Sequence, residues 1–201
     1  MDAMIKKVFL AAAIAISLSA CGPQIPPINF SPPNVGPTQT KLNAEVKSIT
    51  VTVARPEEAT GPLVFGIEAA TPLWKTAVEE ALNKMAIFRD DAPQKVSLSV
   101  KVLKLDTPDF GMNFTTTSAA RYEIIDRATG SIIFTTDVNS DGVVPVDYAF
   151  VGAVRARESI NRSVQNNILQ FLQQLQTVNL NRPMFPTGAP PAPAAKGTPT
   201  S

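Results

Sequence analysis

The sequence predicts an α+β fold: a two-layer sandwich in which a small, mostly antiparallel sheet carries two helices on one face, in the order β-α-β-β-β-α. Three observations predict it. Residues 96–102 alternate apolar and polar side chains without a break, the period of a half-buried strand. Residues 114–126 and 131–138 are β-rich runs joined by a short link ending in Gly130, which reads as an antiparallel hairpin. Residues 71–88 and 147–177 repeat apolar side chains every three or four positions, the period of a helix. A helix between the first two strands allows a crossover connection, so both helices can cover the same face.

In chain order, residues 1–20 read as a secretion signal. Lys6 and Lys7 give the positive start, and Val8 to Leu18 form an apolar run far short of the roughly 20 residues a membrane span requires. The next stretch, GPQIPPINFSPPNVGPTQT, has six prolines and no charge, and predicts an extended tether over 21–41 at about 3 Å per residue. Docking of Ile25, Ile28 and Phe30 on the domain is the alternative.

The domain is expected over 42–178. Val46, Ile49, Val51 and Val53 suit a first strand with one buried face after an early irregularity, stopped by Arg55-Pro56. Leu63, Val64, Phe65 and Ile67 follow as a short edge strand or a hydrophobic plug. Thr71 and Pro72 are placed as N-cap and first residue of a helix whose apolar face is Leu73, Trp74, Ala77, Val78, Ala81, Leu82 and Met85. In the strand that follows, the alternation slips by one at Leu103 and Leu105, the mark of a bulge. After the hairpin, Ser140-Asp141-Gly142 reads as a turn. The long final helix presents Phe150, Val151, Val154, Ile160, Val164, Ile168, Phe171, Leu172 and Leu175, with Arg157, Glu158, Asn161 and Arg162 on its polar side. Residues 179–201, rich in proline and alanine, are expected to be disordered.

Composition narrows the chemistry. The 201-residue chain has no histidine, which removes the commonest general base and the commonest metal ligand. No cofactor is expected and no metal site: the chain has a single cysteine, and Asp137-Val138-Asn139-Ser140-Asp141-Gly142 matches only the opening of a calcium loop. Most aspartates, among them Asp90, Asp91, Asp106, Asp109, Asp126 and Asp147, flank loops, where they bond locally. Ser159 and Ser163 lie on the last helix without a base. Removing residues 1–20 takes away Lys6, Lys7 and Asp2 and leaves a formally neutral chain, with no overall attraction for nucleic acid. The chain is read as non-enzymatic.

Two features carry function. Arg155, Arg157 and Arg162 form a basic group that could meet acidic groups of a partner protein or lipid head groups, guanidinium being suited to bidentate contact. Glu158 precedes Arg162 by four residues, the order that favours a simple helix ion pair. Leu18-Ser19-Ala20-Cys21, small residues between a leucine and a cysteine at the end of an apolar run, resembles the lipobox of bacterial lipoproteins. The resemblance implies a diacylglycerol thioether on Cys21, cleavage before it and acylation of the new amino terminus, hence attachment to a membrane. Gly22 stands where inner-membrane retention signals have aspartate, which implies the periplasmic face of the outer membrane.

Over residues 42–178 the layout resembles small proteobacterial envelope lipoproteins: the YajG kind, the auxiliary lipoproteins of ABC-type lipid transport systems, and the lipoprotein partner of the lipopolysaccharide-assembly barrel. These resemblances imply a protein that binds a partner in envelope assembly or lipid transport. A small-ligand or lipid-binding domain with an apolar pocket between sheet and helices is the alternative. The stretches ALNKMAIFRDDA, ARYEIIDRATG and DYAFVGAVRARESINRSVQNNILQFL are also similar to a lipoprotein family labelled UDP-N-acetylglucosamine acyltransferase. Acyltransferases of that name resemble a β-helix of hexapeptide repeats with a histidine base, and this chain has neither.

Overall fold

A computed structural model describes residues 25–64 and 66–180. The signal segment, Cys21, Phe65 and the tail from residue 181 onward lie outside the described residues. The β-branched and alternating runs become β1 (Ala44–Val53), β2 (Gln94–Asp106), β3 (Phe114–Asp126) and β4 (Ile132–Val144), and the helical runs become α1 (Thr71–Met85) and α2 (Gly152–Leu175). The sheet is open, with strand order β1-β2-β3-β4; β1 and β2 are parallel and the other two pairings antiparallel. This is the α+β sandwich with a mostly antiparallel sheet. Val96, Leu98, Val100 and Val102 of β2 share one buried cluster with Trp74 and Val78 of α1 and Ile168 and Phe171 of α2, so both helices cover the same face.

Both irregularities read from the pattern are present. The β1–β2 register breaks between Val46 and Ser48, and the β2–β3 register breaks between Val102 and Lys104. The second break leaves Leu103 unpaired and turns it outward, where it packs with Ala54 and Ala119, while Leu105 returns to the main core. Past the end of β1, Leu63 bridges Leu105, so this segment extends the sheet beside β2.

Three boundaries differ from expectation. α1 begins at Thr71 with Ala70 as N-cap, because a 3₁₀ turn over Ile67–Ala70 feeds directly into it. β4 continues through Ser140-Asp141-Gly142 to Val144, so these residues are strand and not turn. In that strand Asp137, Asn139 and Asp141 share the outward face, which removes the curled backbone a calcium loop needs. α2 starts at Gly152 instead of near Asp147: Val146–Tyr148 is a separate 3₁₀ turn, and Ala149 and Val151 are extended. Phe150 is therefore outside the helix and fully exposed, not part of its apolar face.

The proline-rich segment is docked, and the folded unit starts well before residue 42. Phe30 is 2% exposed and belongs to the main core, meeting Trp74 edge-on at 5.9 Å between ring centroids. Ile28 and Val35 pack against the same cluster. Asn161 of α2 clamps the chain from both sides: its Oδ1 accepts from the Asn29 N–H at 3.0 Å and its Nδ2 donates to Pro27 O at 3.3 Å. Gln165 adds a bond to Asn29 O at 2.9 Å, and Thr38 N–H donates to Met85 O at 3.0 Å. Asn161, placed on the polar face by its spacing, is buried because this strap covers it. At the other end Leu180 also joins the core.

Candidate functional site

The three arginines singled out in the sequence do not make one surface. Residues 155 and 162 are seven apart and share a helical face, whereas 157 lies about 200° round from 155. Arg155 is buried beneath the start of α2, where Nη1 donates to Ala149 O at 2.6 Å and to Phe150 O at 3.0 Å, and Nη2 to Gly111 O at 3.4 Å. Its guanidinium also lies over the Phe114 ring, 5.4 Å from the centroid. Arg162 pairs with Glu158 at 2.8 Å, donates to Val143 O at 3.0 Å and covers the Tyr148 ring at 5.0 Å. Among the described residues Arg157 makes no hydrogen bond or ion pair. Two of the three are thus braces for neighbouring loops, and only Arg157 offers an uncommitted cation.

Several side chains that could carry reaction chemistry are committed to structural bonds. Ser159 and Ser163 are fully buried where α2 meets the sheet; Ser159 Oγ lies 2.7 Å from Thr116 Oγ1, and Ser163 Oγ donates to Ser118 Oγ at 2.8 Å. Ser140 Oγ completes this seam by donating to Ser163 O at 2.9 Å. Asp126 caps the hairpin turn by accepting from the Ala128 and Thr129 N–H groups, and Gln94 beside it does most to hold its carboxyl below the ordinary range. Asp137 is held down by a two-pronged pair with Arg121, at 2.7 and 2.8 Å. Arg55 and Lys101 together hold Glu58 at about 2. Tyr122, buried and stacked on Phe171 at 4.0 Å, donates to Asn167 Oδ1 at 2.8 Å, and burial pushes its phenol above the usual range. Among the described residues no three cysteine, aspartate or glutamate side chains come together to hold a metal ion.

The layer between sheet and helices is lined by buried apolar side chains. Val164, Ile168, Phe171 and Leu175 of α2 are all fully buried, and Phe30 closes the gap towards Trp74. A hollow of about 480 Å³ lies at the outer margin of β1, where Glu45, Lys47, Ile49, Leu82, Phe88 and Arg89 surround an open, mixed-polarity depression. Its carboxylate Glu45 is held below the ordinary range by Lys47 and Lys95, both in hydrogen-bond contact. The sequence reading missed this hollow, because its walls come from β1, the end of α1 and the loop behind it, which no local pattern links. It also missed the exposed cluster of Phe110, Met112, Tyr148 and Phe150. The signal available for that cluster was Phe110 and Met112 on either side of Gly111, and Tyr148 and Phe150 a few residues after Pro145, inside loops.

No family model matches the chain, and no curated protein matches it in sequence. Solved structures do resemble it. A DUF330 protein of Xanthomonas campestris is 11% identical with a TM-score of 0.46, covering 72% of this chain and 95% of that one. A putative lipoprotein of Caulobacter crescentus is 12% identical with a TM-score of 0.41, covering 64% and 88%. A minor lipoprotein of Acinetobacter baumannii is 9% identical with a TM-score of 0.40, covering 65% and 93%. Likeness at this level assigns no activity.

Proposed function

We propose that this chain is a non-enzymatic lipoprotein of the bacterial envelope, anchored through Cys21 to the periplasmic face of the outer membrane. Its α+β domain binds a partner in envelope assembly or lipid transport. The observation that carries the reading is Leu18-Ser19-Ala20-Cys21, placed directly after the Val8–Leu18 apolar run and the Lys6-Lys7 start. An acylated cysteine bearing several chains, at about 0.8 kcal/mol per buried methylene, is in effect a permanent anchor. Support for a binding role comes from the commitment of Ser159, Ser163, Asp126 and Asp137 to structural bonds. Arg157 and the β1-margin hollow are the partner contacts proposed.

Replacing Cys21 by serine tests the anchor. The variant is expected to lose the mass of the acyl groups and to remain unprocessed, while its folded domain keeps the wild-type urea midpoint. A serine variant processed normally and carrying the same lipid mass would remove the lipoprotein reading. Crosslinking from position 157 in intact cells tests the partner; recovery of no stoichiometric product from an anchored, folded protein counts against it.

A further inference from the structure

Two loops far apart in sequence meet at one end of the sheet: residues 107–113, between β2 and β3, and residues 145–151, between β4 and α2. They are fastened to each other. The Val146 N–H donates to Asn113 Oδ1 at 3.0 Å, and buried Arg155 bonds Gly111 O in one loop and Ala149 O and Phe150 O in the other. Arg162 holds Tyr148 beneath its guanidinium. This braced tip displays apolar side chains to solvent. Phe110 is 85% exposed, Met112 74%, and Phe150 fully. Six of the nine large apolar side chains exposed among the described residues lie on this tip or at the adjoining end of β4. A concentrated apolar patch on a fixed frame marks a contact surface.

The strap decides what it contacts. Asn29 is held at Asn161 and Gln165, and Thr38 reaches Gln176, so the strap runs parallel to α2. Traced backwards, it heads for the first turn of α2 and the tip. Asn161 lies nine residues into the helix, about 14 Å from Gly152 and about 21 Å from Leu175 at 1.5 Å per residue. Cys21 is six residues before Pro27, a span of at most about 22 Å. A lipid on Cys21 therefore keeps its bilayer within easy reach of the tip, whereas the opposite end of the helix lies at the limit of a fully extended chain and against the direction in which the strap runs back from Asn161.

Resting on the lipoprotein reading, we propose that the tip is a membrane-docking surface, which seats Phe110, Met112 and Phe150 in the interfacial layer of the bilayer that holds the Cys21 acyl chains. Tyr148, with an apolar ring and a polar end, suits the level of the head groups, as aromatic side chains do at membrane boundaries. Arg157, one helical turn before Asn161, stands on the strap side near that level. The acids Asp109 and Asp147 flank the same loops and offset it, so the attraction is apolar. Neutral lipid suffices, and added salt leaves docking unchanged.

The lipidated mature protein provides the test, because its single cysteine is consumed by the thioether. A Phe150→Cys variant then has one free thiol, to which an environment-sensitive fluorophore is attached. Ser131→Cys, exposed in the turn at the opposite end, is the control. Both proteins are reconstituted in neutral phosphatidylcholine vesicles. The expected result is emission shifted to shorter wavelength at 150, with most of its intensity lost when nitroxide-labelled lipid is included, and neither effect at 131. Water-like emission at both positions in a protein that floats with the vesicles overturns the docking proposal and leaves the anchor standing. Absence of acyl mass, with no flotation, overturns the anchor and the proposal together. Shielding of position 150 in native envelope membranes but not in pure lipid overturns it in favour of a protein partner.

Discussion

At the scale of single residues, the junction of sheet and helix turns on Gly142. A Cβ there would stand 2.1 Å from Ser159 O and 2.3 Å from Ser163 N, both backbone atoms of α2, so no rotamer change relieves the overlap. Around it, Ser118, Ser140 and Ser163 bond one another and the helix backbone, a seam of small side chains that lets α2 approach β4 closely. Gly142→Ala is expected to destabilise the domain by about 3 kcal/mol, the upper range for overpacking, since either β4 or α2 has to move. Urea unfolding measures it, and an unchanged midpoint would mean that the helix sits farther from the sheet. The same residue shows why sequence reading stopped β4 early. Ser-Asp-Gly has turn composition, and that glycine serves a close approach 17 to 21 residues further along the chain is invisible to any local rule. Arg155 is the parallel case. Its charge placed it on a surface, whereas three carbonyls and the Phe114 ring hold it inside.

Among the elements, those written in a local period were legible. The β2 alternation and its slip at Leu103 appear as a strand with a register break at that point, and the α1 face matches the buried set Trp74, Ala77, Val78, Ala81, Leu82 and Met85 except for Leu73, which is exposed at the start of the helix. The strap was not. Proline-rich sequence has no period, and its partners are distant: Asn29 meets Asn161 across 132 positions, so composition suggested a tether and could only leave docking open. Phe30→Ala separates the two roles. If the strap is part of the core, removing the ring opens a cavity beside Trp74 and lowers stability by about 3 to 4 kcal/mol, as large-to-small aromatic substitutions do. A free tether predicts no change in the urea midpoint. Loss of stability without loss of membrane attachment is the expected pair of results, because Cys21 and Phe30 act in series: one holds the lipid, the other sets where the chain leaves the domain.

For the whole molecule, charge placement fixes how stability follows pH. Glu58 is held at about 2 by Arg55 and Lys101, and Asp126, Asp137 and Glu45 are also held below their ordinary values. A carboxyl lowered in the folded state contributes stability that is complete above its unfolded value, about 4, and is lost as pH falls through its folded value. The acid arm should therefore descend from about pH 5 towards pH 2. With no histidine in the chain, no side chain of ordinary pKa titrates between about pH 6 and 8, so the urea midpoint is expected to be flat there. The alkaline arm has the opposite sign. Tyr122 is raised by burial, so its contribution is complete below the unfolded value of about 10 and is lost as pH rises beyond it, where the unfolded chain ionises first. Glu58→Gln should lower the midpoint at pH 7 and make the acid arm shallower, since the variant has no proton to take up at that site. A variant with wild-type acid slope would show that the Arg55–Glu58–Lys101 cluster adds nothing to the fold and that the other lowered carboxyls carry the whole arm.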